Sequence, residues 1–125
     1  MATLFQWTAK KANKFNARKI VDGGLTFDSR KEHSHWLELS LLERAGEISN
    51  LQRQVKFELI PKQTKSDGKI ERECSYIADF VYFDKKTGKK VVEDVKGMKV
   101  GPAYNVFVIK RKLMLFKYGI EVKEI

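Results

Sequence analysis

The chain has 125 residues, a single cysteine, and 25 basic against 16 acidic side chains, for a formal net charge of +9. That length holds one modest core, a lone Cys74 excludes an intrachain disulfide and a zinc knuckle, and the basic excess points to a polyanionic partner, nucleic acid ahead of an anionic membrane surface. No apolar run nears the roughly 20 residues that cross a bilayer, and Met-Ala-Thr-Leu-Phe-Gln-Trp is no secretory signal, so the expectation is a reduced, cytoplasmic protein.

Residues 1–18 intersperse Lys10, Lys11, Lys14 and Arg18 with Asn and Ala, and read as a flexible basic arm able to touch phosphate. Residues 19–125 read as one domain. Its first element is a short hairpin over residues 19–27, turning at Asp22-Gly23-Gly24. Ser29 followed by Glu32 is a capping box, the signature of a helix start. That helix is expected to stop at Gly46 and to bury Trp36, Leu39 and Leu42, with Leu37 and Leu41 widening the stripe.

Residues 54–60 alternate apolar and polar, as a strand with one wet face does, and Pro61 ends them. Residues 62–73 are polar and form a solvated loop or a protruding hairpin tip. After the hairpin of residues 76–97, Pro102 opens a second helix over residues 103–118, closed by Gly119. Val106, Ile109, Leu113 and Phe116 have the spacing of its buried face. Residues 120–125 alternate again as a last strand. The order ββ-α-β-ββ-α-β predicts an α/β (α+β) fold, a central mixed sheet flanked by helices.

The hairpin carries the chemistry. Two strands, Tyr-Ile-Ala-Asp-Phe-Val-Tyr-Phe-Asp and Lys-Val-Val-Glu-Asp-Val-Lys-Gly, hold acids where apolar residues are expected. If Asp84 faces Lys89 across the turn, Asp79 faces Asp94, and Lys96 follows two residues later on the same face. A bulge at Gly88 would shift this pairing by one. Strict alternation puts Ile77, Val81 and Phe83 with Asp79, and Ala78, Phe80 and Tyr82 on the other face. Opposed Cβ atoms lie about 5 Å apart. At an effective dielectric of about 20, two unit charges there repel by roughly 3 kcal/mol, a large part of a typical stability of about 5–15 kcal/mol. Lys96 relieves some of this; a divalent cation held by hard oxygen ligands relieves more.

Glu32, Asp79 and Asp94-Val95-Lys96 in this order resemble the PD-(D/E)XK, restriction-endonuclease-like nuclease superfamily, with Ala78-Asp79 in place of Pro-Asp. The resemblance is closer to small phage-encoded members, through Phe-x-Ser-Arg-Lys-Glu, Leu-Leu-Glu-Arg-Ala-Gly-Glu-Ile, Tyr-Ile-Ala-Asp-Phe and Val-Val-Glu-Asp-Val-Lys-Gly, over residues 19–125. Some relatives resolve Holliday junctions. The resemblance implies a restriction-endonuclease-like core and Mg²⁺-dependent hydrolysis of DNA, with Mn²⁺ substituting. It makes Asp79, Asp94 and the Val95 backbone carbonyl metal ligands, with Glu32 reaching the metal directly or through water. It makes Lys96 the group that positions the attacking water and stabilises the transition state. Such hydrolysis needs its barrier lowered by roughly 20 kcal/mol.

Each residue also has a plainer reading. The capping box alone accounts for Glu32, and Asp79 with Lys96 could be a salt bridge in a non-catalytic DNA-binding module. Glu93 points to the other face, though a one-residue slip would exchange it with Asp94. His33 and His35, at i and i+2, cannot share a ligand face. Lys99, Lys110 and Arg111 are candidate DNA-backbone contacts beside the arm, or a solvated face. A junction-resolving role implies a symmetric homodimer. A third alternative is a nuclease subunit active only within a phage recombination or packaging complex.

Overall fold

The computed structural model describes residues 19–125; the basic arm with Lys10, Lys11, Lys14 and Arg18 lies outside the described residues. The chain divides into two compact units, one ending at Glu38 and one running from Leu39 to Ile125.

In the first unit, β1 (Ile20–Asp22) and β2 (Leu25–Phe27) form the expected antiparallel hairpin, with Asp22 opposite Leu25. Gly23 and Gly24 take φ of 56° and 84°, the paired positive φ that a two-residue turn between right-twisted strands requires. Phe27 is fully buried and meets the rings of His33 and Trp36, with centroids 5.0 and 5.4 Å away. Helix α1 (Arg30–Arg44) starts in this unit. Ser29 Oγ accepts the Glu32 N–H at 3.1 Å, and the Glu32 carboxylate accepts the Asp28 N–H at 3.2 Å. The reciprocal cap is therefore present, displaced by one residue on the carboxylate side.

The helix ends as expected at Gly46, φ 80°, where Glu47 N–H bonds the Leu42 carbonyl at 3.0 Å. Its inward stripe is narrower than the leucine pattern predicts. Leu39 is buried, whereas Leu37, Leu41 and Leu42 are exposed. Glu32, in the first turn, is buried as well.

The second unit contains the four-stranded mixed sheet. Strand β3 (Ile48–Ile60) is longer than the alternating segment 54–60. Asn50 and Gln54 both have positive φ, 54° and 53°, and the pairing with β6 shifts register between Ser49 and Gln52. β4 (Gln63–Thr64) and β5 (Ile70–Glu71) form the small protruding hairpin, exposed throughout. β6 (Cys74–Asp84) pairs antiparallel with β3 and with β7 (Lys89–Asp94), and β8 (Lys123–Glu124) joins β7 in parallel, giving the order β3-β6-β7-β8. The last strand covers only two of the residues 120–125 expected for it.

Helix α2 (Pro102–Tyr118) closes on Gly119 in the left-handed conformation, as expected. Its buried face differs in part from the predicted one, of which Leu113 alone packs against the core. Phe107 and Met114 join Phe57, Leu59, Tyr76, Ala78, Val81, Val92 and Val122 in the core. Val106, Ile109 and Phe116 are exposed, Phe116 by 88%. The helix carries two apolar stripes, and the inward one includes Arg111, whose charge makes it look like the solvent side. None of the helices among the described residues is long and apolar enough to cross a membrane.

Truncating Met114 to Ala should therefore cost about 2–5 kcal/mol. Phe116→Ala should stay within about 0.5 kcal/mol of wild type. Urea denaturation of the two variants checks this; the reverse ranking would restore the face predicted from periodicity.

Candidate functional site

The β6–β7 register is the one that the turn predicts. Asp84 pairs with Lys89 and Phe80 with Glu93, the last pair of the ladder, and Asp79 and Asp94 are the next residues beyond it. The connection is a four-residue loop, 85–88. The Lys86 N–H bonds the Asp84 carboxylate at 2.9 Å and the Gly88 N–H bonds the Asp84 carbonyl at 2.8 Å. Gly88, φ 71°, absorbs the left-handed residue without a slip, so Glu93 and Asp94 do not exchange places.

The ladder stops at Phe80 and Glu93, and side chains take over. Asp79 accepts the Val95 N–H at 2.8 Å through one carboxylate oxygen and the Gln54 side-chain amide at 3.1 Å through the other. Asp94 accepts the Tyr76 hydroxyl at 3.0 Å on one oxygen and pairs with Lys96 Nζ at 2.5 Å on the other. The Lys96 ammonium also lies 3.6 Å from the centre of the Phe107 ring, a cation–π contact. Asp79 and Asp94 thus converge on one peptide segment, Asp94-Val95-Lys96, with Lys96 as the counter-charge.

The expected face assignment fails at Asp79 itself. Strict alternation separates Ala78 from Val81, yet both belong to one core cluster with Tyr76 and Val92. Pleat direction therefore switches between residues 78 and 81, opposite the left-handed Gln54. This switch puts Tyr76 on the side of Asp94, where sequence alternation cannot place it. Ile77 and Phe83 are both exposed.

Across the sheet, Glu93 is buried and accepts the Tyr82 hydroxyl at 2.7 Å. Burial and then the Glu93 hydrogen bond push the Tyr82 phenol upward. Tyr76 is raised further, by burial first and then by Asp94, with smaller contributions from Asp79 and Glu124. Both tyrosines therefore remain protonated donors at neutral pH, not bases.

Strand β8 brings residues that the sequence does not mark. Asp94 pairs with Glu124 in the parallel ladder, the Ile125 N–H bonds the Asp94 carbonyl at 2.8 Å, and the Lys96 N–H bonds the Ile125 carbonyl at 3.1 Å. The Glu124 carboxylate accepts Arg111 at 2.6 Å and Tyr104 at 2.8 Å, with Lys99 Nζ at 3.9 Å. Burial opposes its ionisation, but the hydrogen bonds from Tyr104 and Arg111, aided by the Arg111 and Lys99 charges, outweigh it and hold Glu124 below the usual carboxylate range. Arg111 is thus committed to Glu124, whereas Lys110 has no ion pair among the described residues. A cavity of about 430 Å³, lined in part by Arg111, Lys112, Lys123 and Glu124, opens between α2 and β8.

The remaining expected residues have local partners. Glu32 serves the α1 cap within the first unit. His33 pairs with Asp22 at 2.9 Å, and His35 lies 3.7 Å from Glu38. Among the described residues, no three His, Cys, Asp or Glu side chains stand close enough to hold a metal by themselves.

An α+β protein results, whose mixed sheet brings an acid pair and a lysine to the segment that leaves β7. The chain belongs to the family described as "Protein of unknown function (DUF1064)", which matches residues 12–124. Neither the curated proteins nor the solved structures contain a match to it.

The lowered Glu124 fixes a pH dependence. Its stabilising contribution is complete above the unfolded value of about 4.3 and disappears as pH falls through the lower folded value. Wild type should lose stability on acidification from about pH 5 to pH 3, and Glu124→Gln should show a flatter profile. Urea melts across that range read the difference directly.

Proposed function

We propose that this protein is a metal-dependent DNA endonuclease with a restriction-endonuclease-like core, acting on branched DNA such as a Holliday junction. The observation that carries the reading is the convergence of Asp79 and Asp94 on the segment that also presents Lys96.

The donor set fits a hard divalent cation. Mg²⁺ keeps several waters and is held by one or two carboxylates together with substrate phosphates. Two aspartates and the Val95 carbonyl would suffice, which is compatible with the lack of a three-acid cluster among the described residues. When bound there, Mg²⁺ or Mn²⁺ would supply a hydroxide at neutral pH and neutralise phosphate oxygens.

The protein's own groups have distinct duties in this reading. Tyr76, kept protonated, orients Asp94. Asp79 fixes the Val95 peptide by accepting its N–H. Lys96, held between Asp94 and the Phe107 ring, would aim its ammonium at the attacking water or at a phosphate oxygen, where it stabilises the charge that develops. Lys99 and Lys110, with the basic arm, would contact the DNA backbone, and a junction substrate would call for a homodimer.

One observation favours a second reading, a DNA-binding module without catalysis. Every carboxylate oxygen of Asp79 and Asp94 already has a protein partner, as in a self-contained structural cluster.

A cleavage panel on linear, nicked, flapped and four-way DNA, with Mg²⁺ or Mn²⁺, separates the two. We expect cutting by wild type, strongest on one branched form. Asp79→Asn and Asp94→Asn should lose cleavage while keeping the fold by circular dichroism and DNA binding by fluorescence anisotropy. Undiminished cutting by either purified variant would overturn the nuclease reading. No cutting by wild type on any substrate would favour the binding module, unless addition of a phage recombination or packaging partner restored it.

A further inference from the structure

Three acids lie at one level of the sheet on three neighbouring strands. Asp79 on β6 and Asp94 on β7 lie one residue beyond the last pair of their ladder, Phe80 and Glu93, and Asp94 pairs with Glu124 on β8. The third differs from the first two in what holds it. Both of its oxygens are taken by helix α2, through Arg111 at 2.6 Å and Tyr104 at 2.8 Å, and its side chain is only 15% exposed.

Its backbone neighbours carry the consequence. Strand β8 has only two residues, and its bonds to the motif come from Ile125: its N–H to the Asp94 carbonyl, and its carbonyl from the Lys96 N–H. These two bonds bracket Val95 and set the direction in which Asp94 and Lys96 leave the chain. A strand this short cannot hold its place by ladder bonds alone. The Glu124 clamp to α2 anchors it.

We propose that Glu124 is a positioning residue for the Asp94-Val95-Lys96 segment, tied down by Arg111 and Tyr104 so that β8 holds the motif's backbone in the geometry a metal requires. The proposal rests on the nuclease reading above. It also gives Arg111 a task other than DNA contact. Loss of an outer partner of this kind typically costs about 10–100-fold in metal affinity or activity.

The experiment compares wild type, Glu124→Ala, Glu124→Gln and the exposed control Glu121→Ala. The first readout is amide hydrogen exchange without metal. Exchange at Lys96 should quicken in Glu124→Ala, while the β3–β6 amides keep their protection. The second is the Mn²⁺ dependence of cleavage. The half-saturating Mn²⁺ concentration should rise about 10–100-fold in Glu124→Ala, and saturating Mn²⁺ should restore most of the rate. A general loss of folded protein would instead lower the rate at every Mn²⁺ concentration. Glu124→Gln keeps the shape and one acceptor, so it should fall between; if Glu124→Ala does not fold, this variant decides by the same two readouts. Wild-type exchange and wild-type Mn²⁺ dependence in the folded variant, with wild type itself active, would overturn this proposal alone. A wild type that neither binds Mn²⁺ nor cuts DNA would overturn the nuclease reading and this proposal with it.

Discussion

The hydrogen bond from the Val95 N–H to the Asp79 carboxylate joins β6 to β7 at the point where their backbone ladder ends. Without it, the Asp79 carboxylate would lose its backbone donor at the end of the ladder, next to Asp94. With it, the carboxylate turns along the strand onto a backbone dipole, and Lys96 neutralises Asp94 from the other side. The roughly 3 kcal/mol repulsion expected for a bare pair is thereby divided among a peptide N–H, an amide, a phenol and an ammonium. The site is a satisfied polar network, and a buried network of this kind keeps its geometry because every member has a partner.

That network depends on one irregularity. Gln54 adopts a left-handed conformation opposite Asp79 and sends its side-chain amide to the same carboxylate. The pleat of β6 changes direction at this level, so Tyr76, Ala78, Val81 and Val92 line a single core. Sheet irregularities re-aim side chains beside functional sites. Here the result is that a phenol which regular alternation would place across the sheet from Asp94 reaches it at 3.0 Å. A left-handed backbone residue and a polar cluster therefore coincide here.

Helix α2 ties the two ends of the motif together. Phe107 supplies the ring beneath Lys96, and Tyr104 and Arg111 secure Glu124 beside Asp94. The helix thus touches β7 chemistry through residues three and four apart on one stripe, and the same stripe continues into Met114 in the core. Arg111, partly buried on this stripe, finds its partner on the last strand.

The sequence by itself determined the elements whose causes are local. The Asp22-Gly23-Gly24 turn, the Ser29–Glu32 cap, the stops at Gly46 and Gly119, and the pairing of Asp84 with Lys89 all follow from residues within a few positions of one another. From that register came the juxtaposition of Asp79, Asp94 and Lys96. Only the tertiary structure decided which apolar stripe of each helix faces inward, because Val106, Ile109 and Phe116 match helical periodicity as well as Phe107 and Met114 do. It alone decided that Tyr76 serves Asp94, since the pleat switch at Gln54 obeys no period. It alone joined Glu124 to the motif, because a parallel strand pair is made by contacts across some thirty residues of chain, a separation at which spacing in the sequence carries no information about position in space.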